Sequence, residues 1–410
     1  MRHDKPDIEA DIKAAEDRGE SIGLMEPMTI AEGSKHTGPL LDLAMELTAA
    51  SAGLKRSLPA EIVTALSDLV RSMNCYYSNL IEGHDTHPVD IERALKNDYS
   101  ADPQKRNLQL EARAHIEVQR WIDHGGMTGR VTAQETILEI HRRFGELLPD
   151  ELLIVTNPDT GEKIRMVPGV LRTRDVKVGR HIAISPGAIP RFLSRFDGAY
   201  KMLGRSQKLL AVAAAHHRLA WIHPFLDGNG RVIRLMSYAM IRELLDTGGI
   251  WSVARGLARS ETSYKAHLMA CDEPRRGNLD GRGTLSETAL ADFTRFFLEM
   301  CLDQVRFMEE IIEPERLRSR ILLWAEEEIR LGNLPAKSTN VLEALLYRGS
   351  LPRGDVADVV GAGDRQARRI VSALAEYEVI VSESSRAPLK LAFPAKLASR
   401  WMPGLFPEKR

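Results

Sequence analysis

"HPFLDGNGR", residues 223–231, places a histidine, a carboxylate, an amide and an arginine within nine positions, with two glycines among them. It follows directly on "SQKLLAVAAAHHRLAWI", residues 206–222, which is apolar on most sides of a helix and so predicts a buried helix in a bundle. Pro224 cannot continue that helix, so His223 falls at a helix end. Glycine accepts backbone angles that other residues resist, so "DGNG" can turn sharply. "RVIRLMSYAMIRELL", residues 231–245, then starts a second helix. A loop that enters a helix N-terminus through two glycines turns successive N–H groups into one concavity, with the positive end of the helix dipole behind them. That geometry binds phosphate.

The side chains extend this reading. Asn229 adds an amide beside the backbone groups of Gly228 and Gly230. Arg231 adds a planar guanidinium suited to phosphate oxygens, and Arg234, three residues on, shares its helix face. Asp227 has the wrong charge to touch phosphate and the right one for Mg²⁺, which takes one or two carboxylates plus phosphate oxygens. His223 suits a general base for an incoming hydroxyl.

"HPFLDGNGRVIR" resembles the active-site signature of the Fic family, H-P-F-x-[D/E]-G-N-G-R-x-x-R, without departure. The resemblance covers about residues 60–310. It implies a mainly all-α protein: a helical bundle with the signature between two central helices and a β-hairpin flap beside it. It also implies transfer of AMP from ATP to a Ser, Thr or Tyr hydroxyl of a target protein, with Mg²⁺ as cofactor. On that resemblance His223 is the base, Asp227 the Mg²⁺ ligand, Gly228, Asn229 and Gly230 the phosphate loop, and Arg231 and Arg234 the β- and γ-phosphate contacts.

Upstream, "AEIVTALSDLVRSMNCYYSNLIEG", residues 60–83, sets Ile62, Leu66, Leu69, Met73, Tyr76, Tyr77 and Leu80 at helical steps, and Gly83 is a stop signal. Ser78 and Glu82 share a face. A carboxylate at a helix C-terminus meets the negative dipole end, which hints at a cationic partner for Glu82. "SNLIEG" resembles the Fic inhibitory motif [S/T]-x-x-x-E-[G/N], in the class whose inhibitory helix precedes the signature, here about 61–83. The resemblance pairs Glu82 with Arg234. It implies a self-inhibited protein adenylyltransferase, with removal of AMP or transfer of another phosphate-containing group as alternatives.

"VPGVLRTRDVKVGRHIAISPGAIP", residues 167–190, resembles the Fic flap, where a protein substrate would dock by strand addition. "SETSYKAHL", residues 260–268, resembles the helix over the nucleotide base, with Tyr264 as a candidate stacking residue and a core position, commoner for a Tyr at helical spacing, as the alternative. His216, His217 and His223 lack a matching carboxylate or cysteine set for a metal and read as buried neutral histidines. "GAGDRQ", residues 361–366, lacks the third glycine of a dinucleotide loop.

The remaining chain divides into a partly mobile lead-in over 1–50, the Fic domain over 51–315, a helix and linker over 316–335, and a small module over 336–410. The module reads helix, turn, helix, glycine turn, helix and two short strands, and resembles a winged helix-turn-helix domain. Arg365, Gln366, Arg368 and Arg369 on its third helix could meet DNA, and a protein-docking face is the alternative. A further alternative makes the whole chain a DNA-binding regulator with a nucleotide-sensing core. A net charge of −1 on 410 residues gives no overall field selecting nucleic acid or membrane, so any such preference must be local. Three widely spaced cysteines form no disulfide framework, and no apolar stretch suits a signal peptide or a membrane span, which points to the cytoplasm. The resemblance also admits a homodimer.

Overall fold

The computed structural model describes residues 15–157, 160–245 and 247–407. The first helix, α1 (Thr37–Arg56), buries Leu40, Ala44, Leu47 and Leu54 along one face and lies against a later central helix. The lead-in expected over 1–50 is therefore bound to the bundle from residue 15 on. Arg191 pairs with Asp17, Arg18 with Asp175, and Met25 and Met28 are buried. Residues 1–14 of that expected lead-in lie outside the described residues.

Next come α2 (Ala60–Ile81), α3 (Pro88–Leu95), α4 (Pro103–Asp123) and α5 (Gln134–Glu146). Helix α2 buries nearly its whole second half, from Leu69 to Asn79. It ends because Gly83 takes a left-handed φ of 84°, which lets His84 N–H donate to the Asn79 carbonyl at 3.0 Å and Gly83 N–H to the Leu80 carbonyl at 2.9 Å.

Residues 148–190 include two short antiparallel hairpins. The first joins β1 (Ile154–Thr156) to β2 (Lys163–Arg165), with Val155 opposite Ile164. The second joins β3 (Lys177–Val178) to β4 (His181–Ile182), inside the stretch likened to a flap.

The core of the bundle is α6 (Ile189–Tyr200), α7 (Arg205–Ile222) and α8 (Asn229–Leu244), closed by α9 (Val253–Arg259), α10 (Glu261–Ala270) and the 25-residue α11 (Glu287–Ile311). Helices α7 and α8 lie against each other, and α11 packs across α1 and α7. Helix α7 buries residues on all sides, from Leu209 to Leu219, as its sequence predicts.

Helix α12 (Pro314–Arg330) is continuous over most of the segment expected as helix and linker. Its Trp324 is buried edge-on against Trp401, 5.3 Å between ring centroids, so this helix packs with the C-terminal module. The module runs α13 (Ser338–Arg348), β5 (Ser350–Leu351), α14 (Val356–Val360), α15 (Asp364–Glu376), β6 (Ile380–Val381) and β7 (Leu389–Leu391), ending in the short α16 (Ala398–Trp401). Its antiparallel sheet has the order β5–β7–β6, one strand more than the sequence suggests. The chain after α16 returns to α2: Tyr77 O–H donates to the Leu405 carbonyl at 3.1 Å. Among the described residues, no helix is long and apolar enough to cross a membrane.

Candidate functional site

The junction of α7 and α8 is built by backbone geometry. His223 caps α7 in the left-handed region, φ 51° and ψ 63°, a conformation costing a non-glycine residue about 1 kcal/mol or more. Pro224 prevents the helix from running on. Gly228, at φ 78°, caps α8 without a side-chain hydrogen bond. The first intrahelical bond runs from Val232 N–H to the Gly228 carbonyl at 3.2 Å. The amides of Asn229, Gly230 and Arg231 therefore belong to the turn that an α-helix leaves without internal acceptors, at the positive end of its dipole.

Three side chains hold this loop. Asn229 is turned inward: its Oδ1 accepts from Phe225 N–H at 3.0 Å and its Nδ2 donates to the Phe225 carbonyl at 2.8 Å. The expectation that its side-chain amide joins the phosphate contacts is corrected by this pairing, because both polar atoms already close the loop. His141 of α5 lies flat on Phe225, centroids 3.8 Å apart. Its Nδ1 accepts from Gly169 N–H at 2.8 Å, so the proton sits on Nε2, which donates to the Asp227 carbonyl at 3.2 Å. Arg172 is buried and donates to three carbonyls: His223 at 2.8 Å, Arg174 at 2.8 Å and Ile184 at 2.6 Å. It thereby joins the loop to both sides of the second hairpin.

The Asp227 carboxylate is exposed and makes no side-chain hydrogen bond or ion pair among the described residues. That donor fits a single carboxylate completing its metal sphere with ligand oxygens and water. His223 is mostly buried. Burial first, then the nearby Arg172 guanidinium, pushes its imidazole down to about 4, so it is neutral at pH 7 and able to accept a proton.

Glu82 lies over the start of α8. A Cβ added at Gly230 would sit 2.2 Å from Glu82 Oε1, so only glycine admits the carboxylate here. Glu82 Oε1 is 2.5 Å from Arg234 Nη2. Arg234 also donates from Nε to Ser78 Oγ at 2.9 Å and from Nη2 to the Ser78 carbonyl at 3.0 Å. Burial works against ionising Glu82, but Arg234, together with Arg231 and His84, outweighs it and holds the carboxyl below its ordinary range. The cationic partner suggested by the helix-end position of Glu82 is thus Arg234.

Arg231 is paired as well, which the sequence does not reveal. Its Nη2 meets Glu111 of α4, and its guanidinium lies 5.1 Å from the Phe144 ring centroid. His84 stands beside Glu111, Nδ1 to Oε2 at 2.6 Å.

Tyr264 takes the core position and not the stacking one. It is 4% exposed and its ring packs against His216 and Phe293. Ser237 O–H donates to the Ile233 carbonyl, so its oxygen accepts from His216 Nδ1, and Tyr264 O–H donates to His216 Nε2 at 2.6 Å. Its ring has no open face for stacking. A hydroxyl at the end of an apolar ring suits a core position with one polar partner. His217 bonds Asp272 at 2.9 Å, and no group of three or more metal-ligating side chains occurs among the described residues.

In the C-terminal module, Arg365, Gln366, Arg368 and Arg369 are exposed on α15 and make no side-chain hydrogen bond or ion pair among the described residues. His141, Arg172, Glu111 and His84 all escape the sequence reading. Each acts on a residue far away in the chain, and none sits in a recognisable local pattern.

Residues 131–241, which include α7 and most of α8, match the family model described as Fic/DOC family. The chain is 36% identical over 111 residues to a protein named "Protein adenylyltransferase Fic" from Culex quinquefasciatus, covering 26% of this chain and 18% of that protein. It is 27% identical over 217 residues to a protein of the same name from Drosophila mojavensis, covering 50% of this chain and 40% of that one. The chain thus spans less than half the length of these relatives. A crystal structure of a Fic family protein from Desulfovibrio desulfuricans G20 shares its fold, with a TM-score of 0.52 at 16% identity over 89% of this chain and 98% of that one.

Proposed function

We propose that this chain, which carries a Fic-family domain, is a protein adenylyltransferase restrained by its own Glu82. One observation carries the reading. An internal carboxylate lies over Gly230, at the anion-binding end of α8, and holds Arg234. The protein fills with its own anion the place where helix dipole, free amides and guanidinium would take phosphate oxygens.

In this reading the amides of Asn229, Gly230 and Arg231 hold the phosphates of ATP, together with Arg231 and Arg234. The target hydroxyl gives its proton to neutral His223, and its oxygen attacks the α-phosphorus. The new O–P bond forms as the bond to pyrophosphate breaks. The amides stabilise the charge that develops on the phosphate oxygens. Asp227 would hold Mg²⁺, which when bound neutralises charge on the phosphates. The second hairpin supplies a docking edge, and Val178 and Ile182 stand exposed there. A groove of about 160 Å³ beside the loop is lined by Met166, Leu171 and Leu226 together with Arg165, Arg172 and Arg174, and offers the target both apolar and cationic contacts.

The test uses purified wild type and Glu82→Gly with labelled ATP, UTP and GTP. Glu82→Gly should label itself about tenfold or more faster than wild type, and with ATP alone. Equal rates would overturn the inhibition, and preference for another nucleotide would overturn the adenylyl assignment.

A second reading applies to the module over residues 336–410. Arg365, Arg368 and Arg369, exposed on α15 and unpaired among the described residues, support a winged-helix unit that contacts nucleic acid phosphates. Affinity for a DNA duplex that falls steeply with added salt supports it, and salt-independent binding or none opposes it.

A further inference from the structure

Each arginine of the proposed phosphate site has its own carboxylate, but the two pairs are built differently. Glu82 caps the end of α2, its side chain is 34% exposed, and only Gly83 follows before the chain turns away. Glu111 sits in the middle of α4 with its side chain 6% exposed. Both its oxygens are engaged. Oε1 meets Arg231 Nη2, and Oε2 accepts from His84, whose Nδ1 must carry the proton because a carboxylate can only accept. Phe144 lies below the same guanidinium. Glu111 is thus buried and engaged at both oxygens, whereas Glu82 is partly exposed at a helix end.

We propose that Glu111 is the positioning residue for Arg231, fixing one corner of the guanidinium so that its remaining donors face the phosphates beyond the α-phosphate. This rests on the reading of the α7–α8 junction as a nucleotide site. A guanidinium recognises phosphate through a planar fork, so its value depends on orientation. With Nη2 held by Glu111 and the plane held by Phe144, Arg231 meets a nucleotide already oriented. Arg231 Nε supports this: it is buried without an acceptor among the described residues, and a donor so placed calls for an oxygen the protein does not supply. Burial of the pair also explains why its loss cannot be made good by water. His84 keeps Glu111 in place from the half-exposed side, and the hydrogen bond to Glu111 raises the His84 imidazole above its ordinary value.

The test measures dissociation constants of Mg-ATP, Mg-ADP and AMP for Glu82→Gly and for Glu82→Gly carrying Glu111→Gln. AMP lacks the outer phosphates and serves as the internal control. Glu111→Gln should weaken ATP and ADP by about tenfold and AMP by less than about twofold, with kcat for transfer little changed and KM for ATP raised. Glu111→Asp, which keeps the charge, should fall between the two and carries the same comparison should the Gln variant lose its fold. Equal weakening of all three nucleotides, or none, would overturn the role of Glu111. If the parent Glu82→Gly itself fails to bind Mg-ATP, the nucleotide site is wrong and Glu111 is not at issue.

Discussion

The α7–α8 loop and helix α15 are both polar, yet they are built on opposite principles. In the loop, the side chains of Asn229, His141 and Arg172 all face inward and bond backbone groups, leaving the amides at the start of α8 presented. On α15, Arg365, Gln366, Arg368 and Arg369 point into solvent and bond nothing among the described residues. The first region offers a rigid backbone surface whose shape is the function. The second offers mobile charges whose function depends on a partner. Substitutions should therefore be costly in the loop and nearly free on α15.

The largest effect is expected at His223. In the Glu82→Gly background, His223→Ala should lower transfer by about 10³-fold, measured with labelled ATP, while circular dichroism and melting stay near the parent's. Substantial turnover in the folded variant would remove the base from the proposed mechanism.

Arg172→Met comes next, since it keeps the stem and removes three bonds to carbonyls. Stability should fall by about 3 kcal/mol in urea melts, roughly 1 kcal/mol per bond. The same change acts on His223, whose low value owes its second cause to Arg172. Without that cation the imidazole protonates more readily, so the acid limb of kcat/KM should move to higher pH, from about 4 toward 6.5. An unmoved limb would mean that the titrating base is another group.

Acid sensitivity is a distributed effect, shared among five buried histidines rather than carried by one residue. His115, His141, His216, His217 and His223 are all lowered, burial being the first cause in each. Between their folded values and 6.5 the unfolded chain binds more protons, so stability should fall as pH drops below about 6.5. His84 is raised and works in the opposite direction, favouring the folded state at low pH. Melting temperatures from pH 7.5 to 5 test the sum; a flat profile would contradict the neutral burial of the five.

The smallest effect belongs to α15. Replacing Arg365, Arg368 and Arg369 together by Ala should shift stability by less than about 0.5 kcal/mol and leave transfer unchanged. If DNA binds there, the slope of log affinity against log salt should shrink by about 3. A large loss of stability would show that this face is already committed within the fold.

The sequence by itself determined the parts whose geometry is local. The apolar α7, the break at Pro224, the glycines of the turn and the polar residues of 223–234 lie in one continuous stretch, so their backbone consequences could be read in order. The same holds for α2 and its stop at Gly83. Tertiary structure alone decided which groups meet. Glu82 and Arg234 are 152 residues apart, and Arg172 reaches a carbonyl 51 residues away. It also placed Tyr264 in the core, turned Asn229 inward, bound residues 15–50 to the bundle and set Glu111 under Arg231. Helical periodicity says which face of a helix is buried, but not which helix lies opposite. A buried ion pair exists only once two such faces have been packed together.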